Sequence, residues 1–339
     1  MHAVPARPER WLSVSAAGLY CAAGDFHVDP VRPVERAVIS HGHSDHARAG
    51  HGKVLATAET LAIMRARYGA EAFASARAAR YGERVRIGEV EVTLVPAGHV
   101  LGSAQVALEC RGSRVVISGD YKRRRDPTCP PFEPIACDVF VTEATFALPV
   151  FRHPPDRDEI AKLLHSVALF PDRAHLVGVY VLGKCQRVIA LLREAGWDQP
   201  IYLHGALVEL CALYRARGIA LGPLLPVTGA AKEALKGQIV LAPPSALGDR
   251  WTRRLPDPVL AMASGWMRVR ARARQRGVEL PLVLSDHADW DELVATAAEV
   301  GAPQVWVTHG REEALVHVLS AQGIEARALN LVGFEEEGS

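Results

Sequence analysis

At 339 residues, 49% hydrophobic and 23% charged, the chain is long enough for one large domain or two ordinary ones with a real core. With a net charge of only +1, any contact with nucleic acid has to come from local basic patches, not from the field of the whole molecule. No apolar run approaches the ~18 residues that span a bilayer, and the start at Met1 has no apolar stretch of a secretory signal, so a cytoplasmic protein without a membrane partner is expected.

The first half reads as short strands between loops rich in glycine, proline and histidine. Strands are expected at Ser13–Cys21, Phe26–Val28, Ala37–Ser40, Lys53–Ala56, Val90–Val95, Ala104–Glu109, Arg114–Ser118 and Val139–Thr142, with one helix near Glu59–Tyr68. Further on, helices at Arg157–Leu169, Lys184–Ala195 and Ala206–Arg217 alternate with buried strands at His175–Val179, Ile201–Leu203, Ile239–Leu241 and Val259–Ser264. The tail returns to strand, helix, strand, helix: Leu282–Ser285, Asp289–Val300, Gln304–Thr308 and Glu312–Gln322. This pattern predicts an α/β scaffold in two pieces, 1–148 and 282–339, with a second α/β domain inserted at 149–281. The acidic run Glu335-Glu336-Glu337 reads as a frayed end. The six cysteines lack a CxxC pair and read as reduced thiols, mostly buried.

The strand Ala37-Val38-Ile39-Ser40 runs into His41-Gly42-His43-Ser44-Asp45-His46. Several potential ligands so close together converge only where the chain turns sharply at a strand end, and Gly42 relaxes the backbone there. Imidazole and carboxylate donors suit zinc, manganese or iron; a magnesium or calcium site would be nearly all oxygen. The spacing lets His41 and His43 face one ion while Asp45 and His46 face a second. Two later strand ends add donors: His99 in Gly98-His99-Val100-Leu101-Gly102-Ser103, and Asp120 in Ser118-Gly119-Asp120-Tyr121. Either residue alone would pass for a loop histidine or a turn aspartate; downstream of the histidine cluster, both read as ligands.

The order HxHxDH, then His, then Asp, each at a strand end, resembles the metallo-β-lactamase superfamily. That resemblance implies an αββα sandwich and two divalent metal ions, zinc or manganese. Asp29 matches the aspartate of the family's first motif, which steadies the histidine loop from behind. Three more strand ends, at Glu143, His287 and His309, together with the inserted domain, resemble the β-CASP branch, whose members cut RNA or DNA. The resemblance implies that His41, His43 and His99 hold one metal, Asp45, His46 and His309 the other, and that Asp120 bridges them. It also implies that Glu143 orients His287, which protonates the leaving oxygen. A lactamase requires no such acid, so this pair favours phosphodiester cleavage.

Longer stretches resemble bacterial ligase-associated DNA exonucleases: His43-Ser44-Asp45-His46-Ala47-Arg48, Ala97 through Gln105, Ser264-Gly265-Trp266-Met267 and Ser285-Asp286-His287-Ala288-Asp289-Trp290. The implied substrate is DNA in repair, the implied partner an ATP-dependent DNA ligase, and the implied state a monomer. An RNA-processing ribonuclease of the β-CASP type is the alternative.

Basic residues supply candidate nucleic-acid contacts. Arg123, in Lys122-Arg123-Arg124-Arg125, follows Asp120 closely and is expected at the rim of the metal site. Arg268, Arg270 and the arginines at 272, 274 and 276 would line one side of an extended chain, or split over two faces of a helix. Lys184 opens a predicted helix whose free N–H groups could hold a phosphate. Trp266 and Trp290 could stack on bases or pack in the core.

Overall fold

In the computed structural model, which describes residues 7–329, the chain divides into two units. One holds the residues up to Val150 together with those from His287 onward; the other is Phe151–Asp286. The run Glu335-Glu336-Glu337 lies outside the described residues. The chain leaves the second unit a few residues later than the pattern of strands predicts. Val283 N donates to Glu159 Oε2 at 2.7 Å, and Asp286 Oδ2 lies 2.9 Å from Lys184 Nζ, which holds 282–286 to that unit.

The first unit opens with β1 (Leu12–Ser15), β2 (Gly18–Cys21), β3 (Phe26–Val28), β4 (Arg36–Val38), β5 (His51–Ala56), α1 (Ala58–Tyr68) and β6 (Phe73–Ala78). It continues with β7 (Arg84–Ile87), β8 (Val90–Pro96), β9 (Ala104–Cys110), β10 (Ser113–Ile117) and β11 (Val139–Ala144). The second unit contains α2 (Asp156–Leu169), β12 (His175–Gly178), α3 (Lys184–Glu194), β13 (Ile201–Leu203), α4 (Gly205–Ala216) and β14 (Leu224–Pro226). After these come β15 (Ile239–Ala242), β16 (Val259–Ala263), α5 (Arg270–Gln275) and β17 (Leu280–Leu282). The tail supplies α6 (Trp290–Glu299), β18 (Gln304–Gly310), α7 (Glu312–Ala321) and β19 (Glu325–Ala328).

Strands β1 to β6 form one six-stranded sheet in chain order; the second sheet runs β19-β18-β11-β10-β9-β8-β7. Alternation along each strand decides which face is which. On β10, Val115 and Ile117 point into the core shared by the two sheets, where they meet Leu19, Val28 and Val38. Val116, between them, joins Phe140, Leu293 and Leu315 under α6 and α7. On the far side, Ile39, Val54 and Ala56 pack against Leu61 and Met64 of α1. The layers are therefore α, β, β, α, each buried Val, Leu, Ile, Phe or Met side chain contributing about 1.5–3 kcal/mol. The α1 start is capped by Thr57, whose Oγ1 accepts from Thr60 N at 3.2 Å.

The second unit is a parallel sheet in the order β14-β13-β15-β12-β16-β17. Its central strands are covered on both faces, so Ile239-Val240-Leu241-Ala242 is buried throughout.

Two differences from the sequence pattern have physical causes. Ser13–Cys21 is not one strand but the hairpin β1–β2. Ser15 Oγ accepts from Ala17 N and donates to Gly18 O, and Gly18 turns with φ of 117°. The strands absent from the sequence reading (β6, β7, β14 and β19) are all sheet edges. Edge strands pair on one side only; β6 exposes every residue after Phe73, so no apolar alternation marks it.

Candidate metal centre

The cluster sits where β4 runs on through Ile39 and Ser40 into His41–His46, all within the first unit. Gly42 is required there by space: a Cβ would lie 2.6 Å from Ile63 Cγ2 of α1. Arg67 Nη1, also on α1, donates to Gly42 O at 2.8 Å and fixes the turn.

Three imidazoles face one another. His43 Nδ1 lies 3.1 Å from His41 Nε2 and 3.0 Å from His99 Nε2. Asp120 Oδ2 approaches His41 Nε2 at 3.4 Å, His46 Nε2 at 3.5 Å and His99 Nε2 at 3.7 Å. It therefore touches both halves of the predicted ligand set. Asp45 Oδ2 stands 3.7 Å from His46 Nε2, and the His309 ring stacks on that of His46 with centroids 5.1 Å apart.

Asp29, just past β3, orients this group. Its Oδ1 accepts from Ser40 N at 2.7 Å; its Oδ2 accepts from Ser40 Oγ at 2.5 Å and from His46 Nδ1 at 2.9 Å. With Nδ1 committed to Asp29, His46 turns Nε2 toward Asp120 and Asp45. Ser40 does the same for His41, its Oγ lying 3.0 Å from Nδ1. Ser40 is a site residue that the sequence reading missed; the serine directly ahead of the HxHxDH run is the signal. Asp29 and His309 both hold left-handed backbone, φ of 45° and 57°, a strain that non-glycine residues rarely carry away from functional sites.

Burial pushes the His41 ring down to about 4, helped by neighbouring His46 and opposed by Asp120. It also pushes His309 down to about 4, and His99 well below the usual histidine range, with His287, His41 and His43 adding to the effect. These rings are held neutral, the form that binds a cation. For His46 burial works the other way from its partners: Asp120, Asp45 and the bond to Asp29 lift it well above the ordinary value. Asp120 is held well below the carboxylate range despite its burial, by His46 and His287.

The donor set fits divalent cations. His41, His43, His99 and Asp120 are buried, with one ligand atom from each lying within 4.8 Å of the others. Asp45 Oδ1 is buried with no hydrogen-bond partner, an orphaned anionic oxygen beside the histidines. Nitrogen and carboxylate donors in this mixture suit a divalent transition metal better than magnesium or calcium, whose sites are nearly all oxygen.

A second grouping adjoins the first: Asp120, Glu143 and His287. Glu143 is buried near the end of β11, and Oε2 and Oε1 lie 2.9 and 3.1 Å from His287 Nδ1. Glu143 Oε1 also accepts from Tyr121 N at 2.8 Å. The His287 ring lies 4.7 Å from that of His99 and is the more exposed member of the pair with Glu143, at 14%.

The basic residues fare differently. Arg123 donates to Thr296 Oγ1 at 2.8 Å and Glu299 Oε2 at 2.6 Å, and lies over Phe132. Lys184 does open α3, but it is 3% exposed and its ammonium meets Asp286. Burial lowers its pKa. Arg268 ends a 3-10 turn and Arg270 begins α5, so the alternating arginines wind round a helix instead of lining an extended track. The Arg and Ala residues of that run are strong helix formers, which decides between the two readings. Trp266 and Trp290 are buried.

Residues 18–174 match the family model described as the Metallo-beta-lactamase superfamily, and this part of the chain belongs to that superfamily. A "Probable DNA ligase" from Opitutus terrae is 31% identical over 321 residues, which cover 92% of this chain and 30% of that protein. "Endoribonuclease ysh1" from Aspergillus fumigatus is 31% identical over 137 residues, 37% of this chain and 15% of its own length. "Endoribonuclease YSH1" from Saccharomyces cerevisiae is 29% identical over 143 residues, 39% of this chain and 18% of its own. The chain thus spans less than a third of the length of these curated relatives. A solved structure, titled as a protein of unknown function from Enterococcus faecalis, superposes with a TM-score of 0.59 at 12% identity. It covers 88% of this chain and 80% of its own, a likeness of fold alone. No helix among the described residues is long and apolar enough to cross a membrane.

Proposed function

We propose that the chain is a two-metal phosphodiesterase acting on nucleic acid, most specifically a DNA exonuclease of the β-CASP type that works in DNA repair in the cytoplasm. The observation that carries this reading is the Glu143–His287 pair beside the histidine cluster. In the proposal His41, His43 and His99 hold one divalent ion, Asp45, His46 and His309 hold the second, and Asp120 touches both. Such ions, when bound, neutralise phosphate oxygens and acidify water. His287 stands where a leaving sugar oxygen can take its proton. Glu143 holds Nδ1 and favours the protonated ring, so that the ring's Nε2 is the donor. Asp29 and Ser40 keep the ligating nitrogens aimed inward.

DNA is favoured because the match to the protein named a probable DNA ligase takes in nearly the whole of this chain. A DNA ligase as partner is proposed on the same ground. RNA is the second reading, favoured by the relatives named endoribonucleases.

End-labelled single-stranded DNA, duplex DNA and RNA, incubated with Mn²⁺ or Zn²⁺, test both readings, with His43→Ala as the control. Laddering of DNA from one end supports the first reading, and selective cutting of RNA the second. Equal cleavage by wild type and His43→Ala, or none by either, sinks both.

A further inference from the structure

The basic run after Asp120 was expected to meet nucleic acid, yet two of its arginines are turned to a different use within the first unit. Arg124 reaches the start of α6. Its Nη2 donates to Asp289 Oδ2 at 2.7 Å and its Nε to Glu292 Oε1 at 2.8 Å. Asp289 and Glu292 are themselves the capping box of that helix. Asp289 Oδ1 accepts from Glu292 N at 3.1 Å, and Glu292 Oε2 accepts from Asp289 N at 3.0 Å. Each carboxylate thus gives one oxygen to the cap and the other to the guanidinium, a planar fork suited to two fixed acceptors. One turn further on, Arg123 binds Thr296 and Glu299 of the same helix.

These ties fasten two segments that carry groups of the proposed reaction. Arg124 lies four residues after Asp120, and Asp289 two residues after His287. Between them Ala288 N donates to Tyr121 O at 2.7 Å, while Tyr121 N donates to Glu143 Oε1 at 2.8 Å. The backbone of Tyr121 is therefore shared between the orienting carboxylate and the segment bearing His287.

We infer that Arg124 is a positioning residue: it clamps the start of α6 to the segment after Asp120 and so sets where His287 stands relative to Asp120 and Glu143. The inference rests on the phosphodiesterase reading. Arg124 touches no reacting atom; its effect is on placement, and misplacement of about 1 Å at a reacting group costs on the order of 100-fold in rate.

The test uses the full chain with saturating Mn²⁺ and two substrates, single-stranded DNA and bis(p-nitrophenyl) phosphate. The nitrophenolate departs without a proton, whereas the sugar alkoxide requires one. Arg124→Met is expected to lower kcat on DNA by about 10- to 100-fold with KM and metal content unchanged, and to leave kcat on the nitrophenyl ester near wild type. Arg124→Lys, which keeps the charge but loses the fork, should fall between. Glu292→Gln attacks the clamp from the helix side and keeps Arg124, so it should give the same split between substrates even where Arg124→Met folds poorly. Arg84→Met, at an exposed arginine of the edge strand β7, should keep kcat on both.

Three results overturn the clamp: an unchanged kcat on DNA in both Arg124→Met and Glu292→Gln, a rise in KM alone, as a phosphate contact would give, or equal losses on both substrates. Wild type inert on both substrates, and on duplex DNA and RNA as well, instead overturns the phosphodiesterase reading itself, and the clamp's catalytic meaning with it.

Discussion

Glu143 and His287 are separated by 144 positions in the sequence, and their side chains meet at 2.9 Å, Oε2 to Nδ1. The carboxylate is buried and the imidazole partly open, an arrangement that holds one ring nitrogen and leaves the ring within reach of a substrate. His287→Ala is accordingly expected to keep its metal complement while losing about 10²- to 10⁴-fold in kcat on nucleic acid, the usual contribution of a general acid. Glu143→Gln, which keeps the shape but removes the charge, should lose less. Metal analysis alongside the rates checks this: an ion missing from His287→Ala would make His287 a ligand.

How much of this site was legible beforehand follows from how its residues are strung along the chain. His41, His43, Asp45 and His46 lie within one turn, so the sequence alone displays them. His99 and Asp120 follow the apolar strands β8 and β10, and Glu143 and His309 lie near the ends of β11 and β18, a pattern that survives long separations. The strand expected at Leu282–Ser285 ahead of His287 ends instead at Leu282, so His287 is marked only by its motif. Arg123 and Arg124 could not be read, because their partners Thr296, Glu299, Asp289 and Glu292 lie more than 160 positions away on a helix whose facing side no spacing rule reveals. The four edge strands were illegible for the opposite reason: they bury too little to carry any periodicity.

In the proposed site Asp29 would act on the metals through His46, whose Nδ1 lies 2.9 Å from its Oδ2. Asp29 accepts at both oxygens, whereas Asp29→Asn keeps a single acceptor and no charge, so either Ser40 N or His46 Nδ1 loses its acceptor and the His46 ring is less firmly fixed. A fall of about 10- to 100-fold in affinity for the more weakly held ion is expected, read by titration against a chelator, with Tm of the metal-free protein changed far less. Unaltered affinity would remove Asp29 from the supporting role.

Metal binding should also stabilise the fold, because the donors converge only when β4, β8 and β10 are in place. At a free ion concentration a hundred times Kd, each site adds about 2.7 kcal/mol. Thermal melts with and without EDTA should separate for wild type and draw together for His43→Ala. A separation that survives that substitution would mean the stabilising ion sits elsewhere.

In the second unit, His175 gives a pH signature independent of the metals. It is fully buried, its Nε2 lies 2.9 Å from Ser166 Oγ, and its Nδ1 has no hydrogen-bond partner. Burial, then the nearby Arg173, push its pKa down to about 4. The unfolded chain takes up this proton near pH 6.5 and the native one refuses it until about pH 4. Stability is therefore full above 6.5 and falls as pH drops through that window, by at most about 3 kcal/mol. His175→Gln should be less stable at pH 7 yet lose less between pH 6.5 and 4.5, in denaturant titrations at fixed metal. Parallel slopes for the two proteins would put the proton uptake on other groups.

Gly42 offers the sharpest steric test of the ligand loop. Its place between His41 and His43 suggests a flexible joint, but the structure assigns it a different constraint: Ile63 Cγ2 lies 2.6 Å from where a Cβ would be, and Ile63 Cβ lies at 3.1 Å. Gly42→Ala therefore forces either the loop or α1 to move, at a cost of about 1–3 kcal/mol for an overpacked core. Since Arg67 also holds the Gly42 carbonyl, the loop cannot shift outward without breaking that bond. The strain should appear as weaker metal binding together with a lower Tm. Trimming the neighbour, in the double variant Gly42→Ala with Ile63→Ala, removes the nearest methyl and should recover part of the metal affinity, although Ile63→Ala alone destabilises. If glycine serves only as a hinge, the second substitution recovers nothing, and affinity in the double variant equals that of Gly42→Ala.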